Sequence, residues 1–372
     1  MAQTIKGGER AIAATHKLLA KQRRGDPSIP EIHAVAIREQ LGLAVDRVMA
    51  EGSLYAPDLA ALAVKQAQGD LVEAAYLLRA YRATLQRIGT SKPIDTTNMV
   101  FHRKLSTTFK NAPGGNILGA TYDWTHRLLD FSLIGESELP EETSEDAFSE
   151  TEGTSPITSQ SFSGTAMTRF MEPTAEPMGM KVADITEHPL SFPTTRDARL
   201  QALARGDEGF AAGLAYSSLR GFGRMHPFLS DMRIGDVVIS LEIPEIAETV
   251  AIGEIVVTQC ELVAKRVGSG TEEDPPRFIK GYGLSFGRNE RRAMAMCILD
   301  LSMRTREFGD EPKYPAQDEE FVLLHLDNLD SSGLVQHFKL PHYVDYQAES
   351  LSIAELRASV ASLDEETEEE AI

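Results

Sequence analysis

Residues 235–244, GDVVISLEIP, and 250–267, VAIGEIVVTQCELVAKRV, decide the fold. Both runs are rich in Val and Ile and are bounded by Gly and Pro. Branched side chains suit a pleated, half-buried surface, so both predict strands. Toward the N-terminus the pattern changes. ERAIAATHKLLAKQRR, IPEIHAVAIREQLGLAVDRVMAEG and PDLAALAVKQAQGDLVEAAYLLRAYRATLQRIG, within 8–88, repeat apolar residues every three or four positions. They are rich in Ala and Leu, and Gly25-Asp26-Pro27, Gly52 and Gly69-Asp70 punctuate them, so they predict helices.

MVFHRKLSTTF resembles a strand, and TYDWTHRLLDFSLIG reads as another ordered segment. TRDARLQALARGDEGFAAGLAYSSLRGFG and RNERRAMAMCILDLSMRTREF predict helices. DEEFVLLHLDNLDSSG fits either a short helix or a buried strand. Helices first and antiparallel-looking strands later predict an α+β fold: a helical N-terminal region, then a mixed region with an antiparallel sheet and a long helix. The expected parts are 1–135, mainly helical, and 136–180, an acidic insertion rich in Ser, Thr, Glu and Pro and expected to be mobile. They are followed by 181–350, mixed and carrying the candidate site, and by 351–372, an acidic tail.

The 56 acids and 37 bases give a net charge of −19. Eight acids fall in 136–152 and six in 364–370; without these 14, 42 acids face 37 bases. The body is near neutral, which disfavours binding nucleic acid through a broad basic face. No run of about 18 apolar residues predicts a membrane span. The opening MAQTIKGGER lacks an apolar h-region, and Cys260 and Cys297 lie in apolar surroundings. The expectation is a cytoplasmic protein with two reduced core thiols.

Several stretches could handle anions. Lys6-Gly7-Gly8 leads into a helix, whose free N–H groups could meet a phosphate; it could equally be a plain glycine-rich helix start. PGGNILG and GYGLSFG share that ambiguity and lack the dinucleotide spacing. RGFGRMHPF sets Arg220, Arg224 and His226 around two glycines, a combination suited to phosphoryl oxygens or to an ordinary surface loop. Asp318, Glu319 and Glu320 are either reactive carboxylates or a solvated helix start. In HFKLPHYVDYQ, Pro341 opposes a continuous helix through His337 and His342, so their imidazoles converge only if the chain turns. Two histidines suit zinc, with Asp345 placed to orient a ring, but the surrounding sequence has no obvious third ligand.

KGGERAI, LAVDRVMAEG, AALAVKQAQGD, LLRAYR, THRLLDF, RGDEGF, RGFGRMHPF, RRAMAMC, AQDEEFVL and KLPHYVDYQAE, in this order, resemble the PhnI family. Its members are the I subunits of the bacterial carbon–phosphorus lyase system. The resemblance covers roughly 5–135 and 188–350. It implies a transferase subunit that works with G, H and L subunits on ATP as co-substrate. A phosphonate displaces adenine at the anomeric carbon, giving α-D-ribose 1-methylphosphonate 5-triphosphate; alone, the subunit would act as a purine nucleosidase. It also implies a two-fold complex with G, H and J, a second copy of the I subunit, and L and K ATPase-type subunits. A zinc at the I–J boundary would be held by two histidines matching His337 and His342, with a further ligand from the partner.

An oxocarbenium-like state at C1′ calls for carboxylates and an acid. Asp318, Glu319, Glu320 and His226 are the candidates. Lys6, Arg220, Arg224 and Lys339 are the candidates for the triphosphate and phosphonate. The rival readings are a non-catalytic scaffold subunit and a stand-alone metal-dependent hydrolase.

Overall fold

The computed structural model describes residues 8–107, 125–135, 170–172, 182–223, 225–243, 248–340 and 342–369, with side chains described through residue 361. The chain divides into two compact units, Met1–Leu326 and Asp327–Ile372. The expected insertion, 136–180, lies outside the described residues except for 170–172.

The first unit opens with α1 (Gly8–Arg24), α2 (Ala34–Gln40), α3 (Gly42–Gly52), α4 (Pro57–Gln66) and α5 (Leu71–Ala83), as the periodicity predicts. Pro57 stands in the first turn of α4, where no N–H partner is required. Asp70 caps α5, accepting from the N–H groups of Val72 and Glu73 at 3.0 and 3.3 Å. Val48, Met49, Ala60, Ala74 and Leu78 form a small core among α2–α5. Alanines keep these helices close, while α1 buries none of its residues.

β1 (Val100–Ser106), β2 (Leu229–Ile243), β3 (Glu248–Val267) and β4 (Arg277–Phe286) form an antiparallel sheet in that order. The fold is α+β, as the sequence predicts. β2 and β3 contain the two Val/Ile runs and pair from Leu229–Val263 to Ile243–Glu248. GYGLSFG, read as a glycine-rich stretch before a helix, does precede α8 (Glu290–Met303), and its first six residues form the C-terminal part of β4. Gly281 and Gly283 lie under α8, where a Cβ would strike the carbonyls of Cys297 and Ala293. These glycines let the helix backbone settle directly on the strand.

α8 is buried on nearly every side by the sheet, α6 (Arg196–Arg205) and α7 (Glu208–Leu219). Its charged residues are paired. Arg292 binds Glu51 at 2.8 Å and the Gly206 carbonyl. Asp300 accepts two bonds from Arg196, at 2.9 and 2.6 Å. Cys297 and Cys260 are buried free thiols, and Cys297 donates to the Cys260 carbonyl at 3.2 Å. The helical region is tied to this core through Asp46, which accepts from the N–H and Nε of Arg288 at 3.1 and 2.8 Å. α9 (Glu319–His325) resolves the 318–333 ambiguity as helix.

The second unit holds α10 (Asn328–Phe338) and α11 (Tyr343–Glu369). α11 continues through most of the expected acidic tail, whose Ala, Leu and Glu are good helix formers. Among the described residues, no helix is long and apolar enough to cross a membrane.

Candidate functional site

In the second unit, His337 lies in the last turn of α10 and His342 immediately before α11. The chain turns between them, with the Leu340 N–H donating to the His337 carbonyl at 3.0 Å. Pro341 itself lies outside the described residues. The two imidazole centroids are 4.5 Å apart. His342 places Nδ1 3.1 Å from Asp345 Oδ2 and Nε2 3.1 Å from the His337 carbonyl. Both partners are acceptors, so the ring's pKa is raised, first by Asp345 and then by that carbonyl.

Zinc would be held through neutral imidazoles of His337 and His342, so binding would release any proton on the ligating nitrogens, and Asp345 beside Nδ1 of His342 would orient that ring. The residues fit two ligands of a zinc site. Among the described residues, no group of three or more His, Cys, Asp or Glu could hold a metal. Lys339, at the C-terminal end of α10, is exposed, with Nζ 3.5 Å from Gln336 Oε1.

The three adjacent acids of the first unit have different surroundings. Asp318 caps α9 by accepting from the Phe321 N–H at 3.1 Å. Glu319 accepts from the Thr194 N–H and hydroxyl at 3.1 and 3.0 Å and from Arg199 at 3.1 Å. Glu320 is exposed. Arg220 is exposed at the end of α7 and donates to the Tyr216 hydroxyl at 2.8 Å. His226 is exposed, with its ring edge-on to Phe228 at 5.5 Å. Arg224 and Lys6 lie outside the described residues. A cleft of about 470 Å³ is lined by Arg23, Arg24, Ile37, Leu41 and Lys65, and by none of the expected site residues.

Glu319 stands at one end of a chain of ion pairs. Arg199 also binds Glu307 at 2.5 Å, Glu307 binds Arg304 at 2.9 Å, and Arg304 binds Glu172 at 2.8 Å. Burial works against the Glu172 charge, but Arg304 holds its carboxyl below the usual range. Glu172 accepts from the Lys280 N–H at 3.1 Å, and Lys280 Nζ reaches Glu261 at 2.9 Å.

This chain ends on the sheet face turned away from α8. Residues directly opposite each other in an antiparallel sheet share a face. One cross-strand row is Ser106–Asp231–Glu261–Tyr282 and the next is Lys104–Arg233–Gln259–Leu284. Leu105, Met232, Cys260 and Gly283 form the opposite, α8-facing row. On the polar face, Arg233 donates to Gln259 at 2.5 Å, and Gln259 donates to the Tyr282 hydroxyl at 3.2 Å.

Asp231 is 4% exposed. Its Oδ1 and Glu261 Oε2 are buried without a hydrogen-bond partner among the described residues. Burial raises the Asp231 pKa, against the pull of Lys104 and Arg233 and with a push from Glu261. The sequence reading missed this constellation. Its available signal was period-2 polarity inside apolar strands, Asp231 with Arg233 and Gln259 with Glu261.

Residues 1–360 match the family described as bacterial phosphonate metabolism protein (PhnI). The chain is 51% identical over 346 residues to the alpha-D-ribose 1-methylphosphonate 5-triphosphate synthase subunit PhnI of Rhizobium meliloti (strain 1021), covering 93% of this chain and 92% of that one. It is 47% identical over 345 residues to the subunit of the same name from Escherichia coli (strain K12), covering 93% and 95%. A putative C-P lyase subunit protein, HtxH, of Stutzerimonas stutzeri is 40% identical over 349 residues, covering 93% of each chain. The match runs through 136–180, where the quoted motifs carried no resemblance. Similarity of this extent, across nearly the whole of both chains, shows that this protein belongs to the PhnI family.

Proposed function

We propose that this chain is the I-type subunit of an α-D-ribose 1-methylphosphonate 5-triphosphate synthase. With partner subunits it displaces the adenine of ATP by a phosphonate at C1′, and alone it transfers the ribosyl group to water as a purine nucleosidase. The observation that carries this reading is 47–51% identity over 93% of the chain to two proteins bearing that name. The structure supplies suitable groups. A buried carboxylate pair suits an oxocarbenium-like state, and nearby Lys and Arg suit the anionic co-substrates. His226 and Glu320 are accessible for proton transfer, and Arg220 for an anion. Asp318 and Glu319 contribute mainly by holding α9.

His337 and His342 would contribute two ligands to a zinc shared with a partner subunit. Bound there, zinc would supply a fixed positive charge at the junction. Exposed Phe338, Tyr343, Val344, Tyr346 and Leu356 give the second unit an apolar surface suited to such docking. The ATP co-substrate is consistent with a cytoplasmic site.

The test is to incubate the purified chain with ATP, alone and with its partner subunits plus methylphosphonate. Adenine and the ribosyl product are followed by chromatography. Adenine release by the chain alone, and phosphonate-dependent product with partners, are expected. No adenine from either preparation would refute the enzymatic reading in favour of a scaffold.

A further inference from the structure

Asp231 and Glu261 form a cross-strand pair, and each keeps one buried carboxylate oxygen without a partner among the described residues. Opposed acids on neighbouring strands destabilise a sheet, and a buried acceptor without a donor adds a further penalty. Both penalties would be relieved by a ligand offering hydrogen-bond donors at this spot. Lys280 lies 2.9 Å from Glu261, and Lys104 acts electrostatically on Asp231 from the neighbouring row. These ammonium groups disfavour a metal cation and favour a ligand that also carries negative charge. A phosphorylated sugar has both features. Its hydroxyls donate to carboxylate oxygens, and its phosphoryl oxygens accept from lysines.

We infer that the sheet face bearing Asp231 and Glu261 is the ribose subsite for the nucleoside triphosphate. The sugar hydroxyls donate to the two carboxylates, and phosphoryl oxygens meet Lys104 and Lys280. The inference rests on the reading of ATP as co-substrate. The half-buried Lys104 and Ser106 on edge strand β1 form the rim of the subsite. Arg233, held by Gln259, is a positioning residue that keeps positive charge beside the pair.

The test uses the full chain, with binding of ATP, 2′-deoxy-ATP and 3′-deoxy-ATP measured by titration calorimetry and adenine release measured in parallel. At least one deoxy analogue should bind about 10- to 100-fold more weakly than ATP, the range for a hydrogen bond to a charged group. Asp231→Asn and Glu261→Gln should weaken ATP by a similar factor and narrow the gap between ATP and that analogue. Circular dichroism checks that each variant is folded, and the wild-type comparison of ligands stands even if one is not. If wild type releases adenine but binds all three nucleotides alike, the subsite is overturned while the proposed reaction stands. Folded variants that discriminate as wild type does would also overturn it. A wild-type chain that neither binds ATP nor releases adenine overturns both.

Discussion

Asp231 shows how a single residue can carry a penalty within an otherwise well-paired sheet. Burial raises its pKa above the ordinary aspartate value of about 4. A carboxyl whose folded pKa is raised binds its proton more tightly when folded. Its contribution therefore favours folding at low pH and is lost as pH climbs from the ordinary value through the raised one; above that, a constant penalty remains. Asp231→Asn should raise the thermal midpoint at neutral pH, and the gap to wild type should close as pH falls below about 4. Melting curves across that range check this, and a pH-independent gap would mean that ionisation is not the cause. Gain of stability with loss of ligand is the usual trade at a functional position.

Among the elements, the decisive contact is α8 on β4. A methyl group added at Gly283 would meet the Ala293 carbonyl and the Met296 side chain, so the helix would have to lift from the sheet. Gly283→Ala should cost about 1–3 kcal/mol, the range for overpacking a tight core. Gly253→Ala is the control, since nothing lies within 4 Å of a Cβ there. It should leave the urea midpoint unchanged or slightly raised. Equal effects of the two substitutions would show that the loss reflects glycine in a strand rather than the approach of α8. The same contact explains why β4 was hard to read. Its glycines lower strand propensity and imitate a phosphate loop, and only the helix above them gives their spacing its meaning.

For the whole molecule, the consequential feature is that the histidine pair lies in Asp327–Ile372, a unit distinct from the one bearing the polar sheet face. In the assembled complex, His337→Ala and His342→Ala should each lower zinc content, measured by elemental analysis per mole of complex. Adenine release should persist, and melting of the isolated chain should change by less than about 0.5 kcal/mol, as expected for exposed positions. Unchanged zinc in both variants would remove these histidines from the metal site. The ring separation of 4.5 Å meets the condition set by the sequence, that the imidazoles of two histidines five positions apart converge only if the chain turns between them.

Sequence by itself determined the helical first quarter, the two long strands, the α+β class and the family. Those features rest on local periodicity, branched side chains and motif order, which a linear chain displays directly. The histidine pair was legible for the same reason, its members being neighbours in the chain. Tertiary structure alone decided that Asp231, Glu261, Lys104 and Lys280 share one face, because strand register brings together four separate strands and sets Lys104 beside residues more than 100 positions later in the chain. It also decided that Glu319 is held by Thr194 and Arg199 while Glu320 beside it is exposed. Adjacent acids look alike in a sequence. Their roles separate only when other segments bring donors to one and water to the other.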